Sequence, residues 1–337
     1  MAKKATKKKT ASKKTAKKTA TKKRASRSRA KQKIDIDGRT VELSSQSATM
    51  FPDDGLSKGD LVSYYRDIAE LMLPHVRERP LTVQRFSKGV GSRGFLQKQA
   101  GDHYPAWIPR AHVPSKSGRG KGVDHAVCNE PAALVYLANQ RCVTFHVSST
   151  RADMLEHPDQ VIFDFDPTDA SPASFERVRQ GAGMIGELLD ELGLTPYLKT
   201  SGSRGLHVIA PIERDTQVDE VRAFARAVCE LMAQQQPTLF TTEMSKKARG
   251  DRVFLDYLRN GYAQTVVAAY TVRPLAGAPV STPLTWDELS APDLHAQRYT
   301  VKNVRERLGR MTCPWADFYA HAVSLAGPRA ALAKRTG

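Results

Sequence analysis

Nowhere in this 337-residue chain do about 18 apolar residues run together, so no stretch reads as a membrane-spanning helix. The first residues also lack the apolar core of a signal peptide, so a soluble, cytoplasmic protein with no membrane partner is expected. Cysteine is scarce. Cys128, Cys142, Cys229 and Cys313 show no short paired spacing, which argues against a zinc site or disulfide framework and for reduced core thiols. Acid is absent from residues 1–33, where 13 Lys and 3 Arg stand. Of the 52 basic residues, those outside this tail nearly balance the 35 acids, so the net charge of +17 is a property of the tail. A run of Lys, Ala, Thr and Ser without apolar periodicity buries too little surface to fold, so a disordered segment is expected there. Its natural partner is a polyanion, DNA or RNA first, through counterion release, and such a chain would be nucleoid-associated. A solubility or targeting tail is the plainer alternative.

Along the body, residues 34–43 read as a short extended segment with a turn at Asp37-Gly38. Ser57 caps a helix in which Leu61, Tyr64, Tyr65, Ile68, Leu71 and Met72 share one stripe, and Pro74 stops it. Residues 81–86 and 95–98 form a hairpin made basic by Arg85, Lys88, Arg93 and Lys98. Tyr104 and Trp107 follow, an interleaving suited to stacking on bases or to a solvated face beside core aromatics. Residues 114–124 read as a polar, basic loop, and residues 142–147 as a strand carrying His146. Ser171-Pro172 opens the most regular helix, whose Phe175, Val178, Ala182, Ile185, Leu189 and Leu192 alternate spacings of three and four before Gly193. Strands at 197–200 and 206–210 flank the turn Ser201-Gly202-Ser203-Arg204-Gly205. A second amphipathic helix ends before Pro237, residues 264–273 read as a strand, and short helices lead to about residue 325. Residues 326–337 read as a frayed basic end. Strands and helices are mixed along the chain, which predicts one α/β (α+β) body over residues 34–325.

The centre of that body is Val161-Ile162-Phe163-Asp164-Phe165-Asp166-Pro167. Strand side chains alternate, so Asp164 and Asp166 project to one face at the end of a buried strand. Paired carboxylates favour a proton or a metal between them, and an oxygen-ligand dication such as Mg²⁺ or Mn²⁺ is the natural occupant. Another apolar run ends in Asp256, close to Arg259. With Asp256, the pair could hold two divalent ions about 3.5 to 4 Å apart, the arrangement that stabilises both oxygens of an in-line phosphoryl displacement. Arg204, Arg259 and Arg273 could neutralise a triphosphate, with Ser201 and His207 as further donors.

Taken together, the motifs resemble the polymerase domain of bacterial DNA ligase D, a branch of the archaeo-eukaryotic primase superfamily. They are residues 51–61 (FPDDGLSKGDL), 72–75 with 79–82, 94–98, Asp164-Phe165-Asp166-Pro167, 201–207, 254–260 and 277–281, in the family's order over residues 51 to about 289. The resemblance implies a primase-type catalytic core of mixed and antiparallel sheets with flanking helices. It implies template-directed addition of nucleotides, often ribonucleotides with Mn²⁺, to primer 3′ ends at gaps and double-strand breaks during end joining. By the family pattern Asp164, Asp166 and Asp256 are the metal carboxylates, Ser201 and His207 grip the incoming triphosphate, and His146 is a further nucleotide contact. Arg259 and Arg273 approach the nucleotide, and the basic face near Lys58, Arg85 and Lys98 takes a downstream 5′-phosphate. Arg204 stands where many members have Lys, a planar fork in place of a point charge. Ala269 precedes Tyr270 where many have Pro. No nucleotidylation motif of the Lys-x-Asp-Gly type occurs, so ligation is expected from a separate ligase, with a Ku-type end-binding protein as the other partner.

Two other readings compete. Asp164-Phe165-Asp166-Pro167-Thr168 fits the Asp-x-Asp-x-Thr motif of haloacid-dehalogenase-type phosphatases, with Asp164 as nucleophile and Gly250-Asp251 near Asp256 as the late acids. A nucleoid-binding protein with an inactive core would instead put all the function in the basic tail.

Overall fold

The computed structural model of the chain describes residues 32–116 and 120–336. Apart from its last two residues, the segment expected to be disordered over 1–33 lies outside them, as does the middle of the loop expected over 114–124. In chain order the principal elements are α1 (Lys58–Asp67), α2 (Ala69–Val76), β1 (Leu81–Arg85), β2 (Phe95–Gln97), α3 (Pro131–Asn139), β3 (Cys142–Val147), β4 (Gln160–Asp166) and α4 (Pro172–Glu191). They continue with β5 (Tyr197–Thr200), β6 (Leu206–Pro211), α5 (Val218–Gln235), β7 (Phe240–Thr241), α6 (Lys246–Arg249), β8 (Val253–Asp256), β9 (Val266–Val267), β10 (Pro283–Leu284), α7 (Val304–Leu308) and α8 (Ala326–Thr336). A six-stranded sheet runs β7-β8-β4-β6-β5-β10, and a four-stranded sheet runs β9-β3-β1-β2. Every pairing in both is antiparallel except β7 with β8. This is the α/β (α+β) class the sequence predicts, with helices flanking mixed and antiparallel sheets.

β4 lies inside the larger sheet because it is apolar on both faces until its end. Phe163 and Phe165 point to one side, and there α4 packs closely. A Cβ on Gly181 of α4 would stand 2.9 Å from the Phe165 ring and 2.8 Å from that of Phe240, so glycine is what lets helix and sheet approach. Asp164 and Asp166 point to the other side. Register does the rest, since residues directly opposite share a face. Asp164 stands opposite Asp256 on β8 and opposite His207 on β6, and His207 stands opposite Lys199 on β5. A row of four ionisable side chains thus crosses the sheet.

Three local expectations need correction, and one open alternative is decided. The stripe read as one helix ending at Pro74 is two helices, broken at Ile68, and Pro74 lies inside α2. Proline is tolerated there because the one carbonyl deprived of a partner belongs to exposed Glu70, where water reaches it. The strand read over 264–273 shrinks to β9, because the Thr271 side chain, not a ladder carbonyl, accepts from Phe145 N at 2.8 Å, and Tyr270 turns the chain at φ +63°. Tyr104 is buried in the core, in line with the reading of a solvated face beside core aromatics and not with base stacking. The end expected to fray is α8, which buries Pro328 and Leu332 and pairs Arg329 with Glu220 and Arg335 with Glu191. Among the described residues no helix is long and apolar enough to cross a membrane.

Candidate active site

Asp164, Asp166 and Asp256 each offer an oxygen within 4.8 Å of the others. Two local devices hold them. Asp256 Oδ1 accepts from Leu258 N at 2.8 Å, which starts the tight turn that carries Arg259 back over the sheet. Asn260 then extends the ladder beside β4 with its side chain, donating to Ile162 O at 2.7 Å and accepting from Ile162 N at 2.8 Å. Burial, with Asp166 beside it, pushes the Asp164 carboxyl up to about 7, and burial raises Asp256 too. The cluster therefore needs positive charge. Arg259 Nε supplies part of it, 3.3 Å from Asp164 Oδ2 and 3.1 Å from Asp256 Oδ2. Hard oxygen donors crowded on one face suit a divalent cation for the rest, so these residues fit such an ion.

In front of the carboxylates lies a cleft of about 230 Å³ between the two sheets. All six residues expected to hold the nucleotide line it: His146, Ser201, Arg204, His207, Arg259 and Arg273. Three buried nitrogens of these residues have no partner within the protein, His146 Nε2, His207 Nδ1 and Arg273 Nε, where a buried polar atom ordinarily has one. Burial, followed by nearby arginines, depresses His146 to about 3; burial and Lys199 depress His207 well below the usual range, so both imidazoles are neutral. His207 Nε2 lies 3.3 Å from Asp164 Oδ1. A second cleft of about 310 Å³ shares Asp166, Arg204 and Arg259 with the first and extends past Asp256 towards Met244 and Lys246.

The turn 201–205 is shaped for close approach. Ser201 Oγ accepts from Ser203 N at 3.2 Å and Gly205 N at 3.1 Å, which leaves its own proton to donate. A Cβ on Gly205 would fall 1.9 Å from Phe165 O, so only glycine lets the turn lie against the carboxylate strand. Arg273 Nη1 donates to Ser201 O at 2.7 Å and ties the turn to the opposite wall.

The residues read as a 5′-phosphate face do not join this cleft. Lys58 is buried, its Nζ donating to Asn139 O at 2.9 Å and Ser44 Oγ at 3.2 Å, and burial and Arg141 bring its amine down to about 8. Arg85 is half-buried and donates to Gln140 O and Gln97 Oε1, whereas Lys98 is exposed. Sequence reasoning missed Lys199, fully buried with Nζ on Ser281 Oγ at 2.7 Å. Strand alternation puts it on the face of Ser201, but only the β5–β6 register sets it beside His207. Thr265, Val266 and Val267, which form part of the cleft wall, carried no signal of their own. Asp251, the further acid of the phosphatase reading, is exposed and stands outside the carboxylate cluster.

Comparison with known proteins agrees with this geometry. The family model for the LigD primase-polymerase domain matches residues 57–315. The chain is 31% identical over 264 residues to the multifunctional non-homologous end joining protein LigD of Mycolicibacterium smegmatis, covering 77% of this chain and 34% of that protein. It is 32% identical over 285 residues to the protein of the same name from Pseudomonas aeruginosa, covering 82% and 33%. It is 29% identical over 280 residues to the bifunctional LigD of Bacillus subtilis, covering 83% and 44%. The chain thus spans from about a third to less than half the length of these relatives. The solved polymerase domain of Mycobacterium tuberculosis ligase D in complex with DNA matches with a TM-score of 0.76 at 28% identity, over 84% of this chain and 99% of that one. With the family model covering most of the chain and the carboxylate cluster and its cleft intact, the chain belongs to the LigD primase-polymerase domain family of nucleotidyltransferases.

Proposed function

We propose that this chain is a template-dependent primase-polymerase that adds nucleotides, ribonucleotides by preference, to primer 3′ ends at short gaps and double-strand breaks during DNA end joining. The observation that carries the reading is the pairing of a three-carboxylate cluster with a cleft lined by Arg204, Arg259 and Arg273, among whose residues buried nitrogens lack partners. Such a cleft takes a triphosphate, and the carboxylates then face its α-phosphate. Two divalent ions, Mn²⁺ or Mg²⁺, on Asp164, Asp166 and Asp256 would stabilise the charge on the attacking and departing oxygens. The chain's own side chains do the remainder. Arg204, Arg273 and Ser201 grip the β- and γ-phosphates, His146 and His207 offer their free nitrogens to the nucleotide, and Arg259 holds Asp164 and Asp256 in register. The primer 3′-hydroxyl passes its proton to solvent water as it attacks the α-phosphate; the new phosphodiester forms as the bond to pyrophosphate breaks. A downstream 5′-phosphate would approach the β1–β2 hairpin, where Lys98 is exposed and Arg85 and Lys58 lie deeper. The basic tail serves as a tether to DNA in the nucleoid, and a Ku-type protein and a separate ligase act before and after this step.

The test is extension of a labelled primer across a short 5′-phosphorylated gap with Mn²⁺, using ribo- or deoxyribonucleotides, for wild type and Asp166→Ala. Template-dependent extension by wild type alone supports the reading. No extension by either protein, with DNA binding retained, sinks it and favours a nucleoid-binding role.

A further inference from the structure

The turn that carries Ser201, Arg204 and Gly205 into the cleft is braced from outside the cleft by Gln297. Its Nε2 donates to Ser203 O at 2.8 Å, although the two residues are 94 apart in the chain. The segment that presents it is itself fastened down. Leu294, Ala296 and Tyr299 are buried on either side, Tyr299 O accepts from Val280 N at 2.7 Å, and Gln297 N donates to His295 Nδ1 at 3.3 Å. Gln297 does not line the cleft.

The bond decides what a phosphate meets. Amide hydrogens attract phosphate oxygens and carbonyl oxygens repel them. In this turn Ser201 O is taken by Arg273, Ser203 O by Gln297 and Gly205 O by Ser201 N. A trans peptide points its C=O and N–H to opposite sides, so anchoring Ser203 O fixes the direction of the Arg204 N–H. It also fixes the base of the Arg204 side chain, which reaches both clefts.

We propose that Gln297 is a positioning residue for triphosphate binding, one that sets nucleotide affinity through the Ser203–Arg204 peptide without touching the nucleotide. The inference rests on the polymerase reading. Gln297→Met keeps length and packing and removes the donor. In gap filling, its nucleotide KM is expected to rise roughly three- to tenfold, the effect of one lost hydrogen bond. The kcat at saturating nucleotide, DNA affinity and thermal unfolding temperature should match wild type. Should the Met variant aggregate, Gln297→Glu, isosteric and without a donor at neutral pH, is read by the same criteria. A KM equal to wild type overturns the inference, as does a joint fall in kcat and unfolding temperature with KM unchanged. Both of those results leave an active polymerase; a wild type that extends no primer sinks the polymerase reading, and this inference with it.

Discussion

A carboxylate that burial and a like neighbour push up to about 7 is a source of instability until a cation arrives, and Asp164 is that residue. Replacing it by Asn keeps the shape and removes the charge. Asp164→Asn is therefore expected to raise the stability of the metal-free protein, on the order of 1 kcal/mol or more, while lowering primer extension about a hundredfold or more. Thermal melts with chelator and with Mn²⁺ check the two effects together. Wild type should melt higher with Mn²⁺, by about 2.7 kcal/mol at a hundred times the Kd, and the variant should gain much less. A variant less stable than wild type in chelator would mean that Arg259 and His207 already satisfy the charge. Strand alternation made Asp164 and Asp166 legible in the sequence, and the adjacent turn made Ser201 and His207 legible. Lys199 was not legible, because a lysine on an apolar strand acquires meaning only from its cross-strand neighbour.

At the scale of elements, α2 meets the segment between α7 and α8 through His75, whose ring packs edge-on against Trp315 at 5.4 Å and Phe318 at 6.1 Å. Burial, with Arg79 and Lys199 nearby, pushes this imidazole down to about 3 from an ordinary 6.5. The sign follows. Below pH 6.5 the unfolded chain takes up a proton that the fold refuses until about pH 3, so this contribution to stability is complete above 6.5 and is lost as pH falls through that window. Each pH unit is worth about 1.4 kcal/mol for one proton. His75→Phe should therefore show a shallower loss of stability between pH 6 and pH 4 in urea titrations, by about that amount per unit; parallel slopes would mean that His75 is protonated in the fold. Such packing explains what the sequence concealed. Periodicity located α4 and α5, but the break at Ile68 and the ordered α8 depend on tertiary contacts that no local pattern encodes. The shortening of β9 depends on a threonine side chain taking the place of a ladder acceptor.

The charge of the whole molecule is divided unevenly, a nearly neutral body behind a tail of 13 Lys and 3 Arg, and DNA affinity should divide the same way. On the proposed polymerase reading the body engages DNA to present a primer at the carboxylates, but it has little net charge with which to attract it. The tail has charge in excess and no acid to offset it. Each phosphate a cation neutralises contributes about 0.9 to the slope of log K against log salt, so a tail using even half of its cations adds several units. Removing residues 1–31 leaves the first described strand, Gln32–Ile36, in place. The shortened protein should bind gapped DNA more weakly at low salt and with a slope smaller by several units, while its kcat on saturating DNA stays within about twofold, because a tether raises local concentration and does no chemistry. Fluorescence anisotropy at four salt concentrations, with gap filling in parallel, measures both. Equal slopes for the two proteins would mean that the tail's charge is spent on something other than DNA. A loss of kcat at saturation would mean that the tail enters the reaction itself, and the division of labour between tail and body would have to be given up.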